Sequence, residues 1–319
     1  MKVAIVGAGG LGATFGALLT AAGIDVTMVE IDRRRVEKIA SEGLDMIMPD
    51  GTEKHFSLKI TDDINSIGEL DLIQISVKGY HTSSAAASIK QAVGPRTYVL
   101  SVQNGLGNLR RIAEHVPADR VIGGVTALSS MPLGLNRIKF NGGHGGISFG
   151  RYDGTEDPRL QDFAAMFEAA GIEAHIITGN VQVPIWRKLI ANVSNNCVAA
   201  ITGFTGNQML ACEPIRELIT KLAEEVAAVA RAEGLDFEEL NDPAGFVLNK
   251  TLPGVKDNKI SMLQDVEANR RTEIDTLNAE IVRLGARHGV PTPYNHAMTC
   301  LVLAREQKML WDMESQSRA

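Results

Sequence analysis

Short apolar runs alternate with longer stretches of helical spacing along the first half of the chain. Lys2 to Val6 reads as a buried strand, a glycine turn follows, and apolar residues then recur at helical spacing from about Leu11 to Ala22. A second run, Val26 to Val29, and a charged helix from about Arg33 to Ser41 complete a β-α-β unit. Further runs at Leu72 to Val77, Tyr98 to Val102 and Val121 to Ala127 predict a parallel sheet with helices on both faces.

The glycine-rich segment NGGHGGISFGRYDG at 141–154 reads as turns joining late strands, and 157–171 as one more helix with Pro158 near its start. Ile172 to Ile177 is the last strand. Beyond Gly179 and Asn180 the pattern becomes long and helical, over Trp186 to Val198, Pro214 to Glu233 and Asp265 to His288. The expected architecture is α/β: a Rossmann-type parallel-sheet domain at 1–178, then an all-helical domain at 179–319. The polar tail from Asp312 to Ala319 is expected to fray.

Composition narrows the function. The 319 residues carry 32 Lys+Arg against 38 Asp+Glu, a net charge of −6, so no positive field draws in nucleic acid or an anionic membrane. Cys197, Cys212 and Cys300 lie far apart without CxxC spacing, which argues against disulfides or structural zinc and favours a reducing cytoplasm. The uncharged stretch from Val3 to Ile24 imitates a secretory leader, but its glycines suit a strand and turn better. His144 and His288 have no partners at ligand spacing, so no metal site is expected.

GAGGLG at 7–12 follows a strand and opens a helix, the setting in which GxGxxG signifies dinucleotide binding. Gly7 permits the tight turn, Gly9 the approach of a pyrophosphate, and Gly12 the close packing of helix on strand. Ala8, Gly10 and Leu11 complete the loop, whose free N–H groups face the negative charge. Glu30 stands eighteen residues after Gly12, where a carboxylate holds the adenosine ribose hydroxyls and repels a 2′-phosphate, favouring NAD over NADP. Arg33, Arg34 and Arg35 follow, either as a solvated helical turn or as phosphate ligands.

In the second half, Lys188, Asn192 and Asn196 recur at i, i+4 and i+8 and form one helical stripe. Asparagine is a poor helix-interior residue, so the stripe is either a wet face or a crevice wall. On a crevice wall, a lysine would donate a proton to a carbonyl receiving hydride, and the amides would fix a small polar substrate. Cys197 adjoins the stripe without a paired base and reads as a small buried residue.

Taken together, GAGGLG at 7–12, SVKGYHT at 76–82, QNGLG at 103–107, WRKLIANVSNN at 186–196 and SMLQDVEANRRTEID at 261–275 resemble the 2-dehydropantoate 2-reductases (ketopantoate reductases) over nearly the whole chain. The resemblance implies reduction of ketopantoate to pantoate by NAD(P)H, with NADP the family's usual cofactor. It implies that Lys188 is the general acid, that Asn104 sits near the nicotinamide ribose and substrate, and that Asn192 and Asn196 hold the substrate. It further implies that Glu273 orients substrate and nicotinamide, that Lys78 reaches the cofactor, and that Ser261 binds the substrate carboxylate.

Ser261 also fits a capping box with Gln264. On one straight helix Glu273 would lie about 18 Å beyond it. Either the helix begins nearer Asp265 with Ser261 folded back, or the serine is structural. The chain departs from the family at Ile31, in register with a common arginine, at His81, and at Asn278-Ala279 in place of Asn-Gly. Alternatives left open are a different 2-oxoacid reductase using NAD(H) and a non-catalytic dinucleotide sensor. The apolar positions of Asp265 to His288 suit an internal helical core or a homodimer contact equally.

Overall fold

The computed structural model describes residues 1–143 and 145–318, with side chains as far as Ser315; His144 lies outside the described residues. The chain forms two compact units, Met1–Gln103 with Gly107–Gln182, and Asn104–Leu106 with Val183–Ala319.

Among its described residues the first unit contains twelve strands: Lys2–Val6 (β1), Asp25–Val29 (β2), Leu44–Ile47 (β3), Glu53–Phe56 (β4), Lys59–Thr61 (β5), Leu72–Ile75 (β6), Tyr98–Ser101 (β7), Val121–Thr126 (β8), Ser130–Pro132 (β9), Arg137–Phe140 (β10), Ile147–Arg151 (β11) and Ala174–Ile176 (β12). Eight of them make one sheet in the order β12-β11-β8-β7-β6-β1-β2-β5. Val3 pairs with Val26 on one side and Leu72 on the other, both in parallel. The expected parallel sheet is therefore present, with one reversal where β11 runs antiparallel to β8. The strands β6 and β7 are buried along their whole length, which is why they read as continuous apolar runs. Phe167 meets Phe15 and Phe149 edge-on at 5.7 Å, fixing the Gly10–Ala21 and Arg159–Ala169 helices against the sheet.

A second sheet, β4-β3-β10-β9, was not expected. Its strands have only three or four residues and include Glu53, Lys54, Arg137 and Lys139, so they carry little readable periodicity.

The second unit is helical. Its longest elements are Gln182–Thr202, Glu213–Ala232 and Pro293–Arg318, packed through Leu189, Val193, Leu222, Val226, Met298 and Val302. The expected single helix from Asp265 to His288 is replaced by two. One ends at Glu267, Asn269 turns with φ +50, and the next runs from Asn278 to His288. A short asparagine tolerates that left-handed turn, and Arg270 closes it by donating to the Asp265 carboxylate at 3.1 Å. The last helix runs on to Arg318 through the polar segment expected to fray, with the Lys308–Asp312 pair at 2.8 Å bracing the turn that ends at Asp312.

A buried polar chain ties four of these helices together. Asn278 Nδ2 donates to the Val193 carbonyl and to Asn295 Oδ1, both at 3.0 Å. Asn295 in turn donates to Glu225, which accepts the backbone N–H groups of Tyr294 and Asn295 at 2.9 Å and so caps the last helix. Among the described residues no helix is long and apolar enough to cross a membrane.

Candidate active site

The glycine loop is built by close approach. A Cβ on Gly12 would stand 2.0 Å from the Gly7 carbonyl oxygen and 3.0 Å from Ser76 Cβ, so helix, strand and the 76–82 segment meet only with glycine there. Gly7 adopts φ +101. Over Gly9, by contrast, a Cβ would meet nothing within 4 Å. Gly9 is the N-cap of the Gly10–Ala21 helix, which has no side-chain cap and no acid in its first turn. Its first N–H groups therefore keep their capacity for an anion. The unexpected second sheet closes the loop's flank: Thr14 Oγ1 lies 2.6 Å from Ser130 Oγ, and a Gly10 Cβ would meet the Ser130 carbonyl at 2.9 Å.

Glu30 sits at the end of β2 beside this loop. Its carboxylate accepts the N–H groups of Ala8 at 3.0 Å, Ile31 at 2.8 Å and Asp32 at 3.1 Å. Ile31 is 83% exposed. Of the three arginines, Arg33 and Arg34 are solvated and pair with Asp62 and Asp32. Arg35 is anchored on the Leu135 carbonyl at 2.9 Å and lies 3.9 Å from Glu30. Lys78, half-buried, follows Val77, whose carbonyl accepts Gln103 Nε2 at 2.7 Å; the same amide donates to Thr82 at 2.9 Å. Gln103 thus fastens two of the motifs to each other, a role not read from the sequence.

The second group of residues lies in the helical unit. Lys188 and Asn192 are half-buried and Asn196 is buried on the Gln182–Thr202 helix. Burial lowers the pKa of Lys188 from 10.5 to about 8, against an opposing pull from the charge of Glu273. Glu273 is half-buried and precedes the short turn Ile274–Thr276. Asn104 is brought to that turn by its neighbours: Leu106 N donates to the Thr276 carbonyl at 2.9 Å, and Gly105, at φ +84, leaves room for no side chain, since a Cβ would sit 2.4 Å from the same oxygen.

Ser261 is exposed as the first residue of the Ser261–Glu267 helix, and the capping box does not form; Ile260 is the N-cap, and Gln264 donates to the Lys259 carbonyl instead. Cys197 is buried, with its thiol pKa pushed up to about 12 chiefly by burial, which suits an inert residue. Among the described residues no group of three or more His, Cys, Asp or Glu side chains could hold a metal ion, and His288 pairs with Glu233.

Comparison with known proteins decides the family. The sequence profile of ketopantoate reductase PanE/ApbA matches residues 3–154, and that of its C-terminal region matches residues 180–306. The chain belongs to the ketopantoate reductase family. It is 31% identical to a 2-dehydropantoate 2-reductase of Halobacterium salinarum over 95% of this chain and 98% of that one. A PanE/ApbA family ketopantoate reductase from Ralstonia eutropha superposes with a TM-score of 0.86 at 29% identity, covering 97% of this chain and 100% of that chain. D-mandelate dehydrogenase, solved with NADH and anilino(oxo)acetate, superposes with a TM-score of 0.90 at 26% identity, covering 97% and 99%. Membership makes the chain an oxidoreductase of a pyridine-nucleotide-dependent kind acting on a small keto acid.

Proposed function

We propose that this chain reduces 2-dehydropantoate to pantoate, with Lys188 as the proton donor. The observation that carries this reading is the lysine's pKa of about 8 beside Glu273 on the asparagine stripe. Such a group is largely protonated at pH 7 and still acidic enough to release its proton, the balance general acid catalysis requires. The bound dihydronicotinamide supplies the hydride. As negative charge develops on the keto oxygen, the Lys188 ammonium stabilises it and transfers a proton to it, giving the hydroxyl. The resulting amine is then reprotonated from solvent. Glu273 keeps the lysine's pKa from falling further and orients the substrate together with Asn104. Asn192 and Asn196 hold the substrate's polar groups, and Ser261 is assigned to its carboxylate.

The glycine loop fits a dinucleotide: its uncapped helix start and the open space over Gly9 suit a pyrophosphate, with Gly7, Ala8, Gly10, Leu11 and Gly12 supplying backbone. Lys78 is assigned to the cofactor. NADH is the preferred form in this reading, because Glu30 is held beside the glycine loop by three backbone N–H groups, Arg33 and Arg34 pair with Asp62 and Asp32, and Arg35 is anchored on the Leu135 carbonyl. The test is to incubate the protein with NADH or NADPH and a panel of 2-oxoacids, following loss of dihydronicotinamide absorbance. Fastest oxidation with 2-dehydropantoate is expected. No oxidation with any acid contradicts the reading and favours a dinucleotide sensor.

A further inference from the structure

Three carbonyl oxygens and one carboxylate converge on a single arginine beside the glycine loop. Arg35 Nη1 donates to the carbonyls of Leu135 at 2.9 Å, Ala8 at 3.3 Å and Gly134 at 3.4 Å, and its Nε lies 3.9 Å from the Glu30 carboxylate. All four acceptors carry partial or full negative charge, so they repel one another unless a cation stands among them. The side chains of Arg35 and Glu30 are 19% and 14% exposed, which leaves their attraction less screened than that of a surface pair.

The segments joined by Arg35 border the dinucleotide loop. Ala8 is the second residue of that loop; Glu30 accepts its N–H at 3.0 Å and Arg35 donates to its carbonyl, so an acid and a base hold the peptide groups on either side of it. Gly134 and Leu135 lie in the turn between β9 and β10, and β9 is the strand that brings Ser130 against Gly10. One side of the turn is fastened by Asn136, whose Nδ2 donates to the Gly43 carbonyl at 3.1 Å. The side facing the glycine loop is fastened by Arg35, which stands in the first turn of the Arg33–Glu42 helix.

We propose that Arg35 is a positioning residue for the adenosine half of the cofactor, holding the β9–β10 turn, the glycine loop and Glu30 in the arrangement that receives it. The inference rests on the dinucleotide assignment made above. Without the guanidinium the converging oxygens repel and the turn loses its anchor on the loop. The cofactor must then order these pieces as it binds, and affinity falls. The nicotinamide end takes no part in this, so the hydride step itself is untouched.

The experiment compares the parent with Arg35→Met, which keeps the apolar stem, and Arg35→Lys, which keeps the charge. Calorimetric titration with ADP-ribose, the cofactor without its nicotinamide, reads binding apart from turnover. Arg35→Met should weaken ADP-ribose by about tenfold or more, as loss of charge-assisted hydrogen bonds does. Its KM for NADH should rise by a similar factor with kcat within about twofold. With reduced nicotinamide mononucleotide as hydride donor, which lacks the adenosine half, kcat/KM should also stay within about twofold. Arg35→Lys should fall between parent and methionine variant, because an ammonium keeps the charge but not the planar fork. Unchanged ADP-ribose affinity in a destabilised Arg35→Met, or equal loss with NADH and with the mononucleotide, overturns the assignment. If the methionine variant fails to fold, the lysine variant decides. In the parent, moreover, ADP-ribose must slow amide exchange over residues 133–136, and exchange unaffected there overturns the proposal. A parent that binds neither NADH nor ADP-ribose overturns the dinucleotide assignment itself, and the role of Arg35 with it.

Discussion

Glu273 and Lys188 are electrostatically coupled within the helical unit: burial lowers the lysine's pKa, the carboxylate charge raises it, and the balance is about 8. The two residues are 85 positions apart in the chain, so this coupling is a product of the fold. It gives the lysine a pKa suited to the general-acid role proposed for it, and it makes several consequences measurable.

The rate of reduction should follow the protonated fraction of Lys188. The kcat/KM is expected to be flat at neutral pH and to fall about tenfold per pH unit above about 8. In Glu273→Gln the raising charge is gone, so the alkaline limb should begin at lower pH. A pH-rate profile of both proteins reads this directly, and a limb that does not move removes Glu273 from the coupling.

The same burial should cost stability. The folded pKa lies below the unfolded one, so the unfolded chain binds more protons between about pH 8 and 10.5, and stability rises with pH across that window. Below it the charged lysine carries the full penalty, on the order of 3 kcal/mol. Lys188→Met should therefore unfold at higher denaturant than the parent at pH 7. The gain should shrink as pH rises through the window. A gain over the parent that is no larger at pH 7 than at pH 10.5 contradicts the burial penalty.

Cofactor choice should turn on Glu30. NADH is expected to bind more tightly than NADPH, and Glu30→Ala should narrow the gap by removing the charge that repels a 2′-phosphate. Because the carboxylate also holds the N–H of Ala8, the variant should weaken NADH binding as well. Fluorescence titration of both cofactors checks this; a parent that prefers NADPH would show that the neighbouring arginines outweigh the acid.

Gly105, next to Asn104, packs against the turn that follows Glu273. Gly105→Ala forces a left-handed alanine, at about 1–2 kcal/mol, and drives its Cβ to 2.4 Å from the Thr276 carbonyl. A lower Tm and a loss of about tenfold to a hundredfold in kcat/KM are expected. Unaltered kinetics in a destabilised variant would separate Asn104 from the chemistry.

Much of this was legible in the sequence because it depended on local spacing. The β-α-β opening, the glycine loop and Glu30 are read from one short stretch, and Lys188, Asn192 and Asn196 from a single helical period. What escaped depended on partners distant in the chain. The small sheet that flanks Gly10 pairs β3 with β10 across about ninety residues, and its strands are too short and polar to register. The break at Asn269 hides inside a pattern whose apolar positions fit one continuous helix, because asparagine turns the chain left-handed without a glycine or proline to announce it. Arg35 was visible as the last of three successive arginines, but only the fold shows carbonyls 99 and 100 residues away converging on it.

The central claim is that Lys188 protonates the oxygen being reduced. It is tested most directly by steady-state turnover of Lys188→Ala with NADH and 2-dehydropantoate, alongside a cofactor titration. A fall in kcat of about a hundredfold or more with cofactor affinity unchanged is the predicted result. Turnover near that of the parent would contradict it.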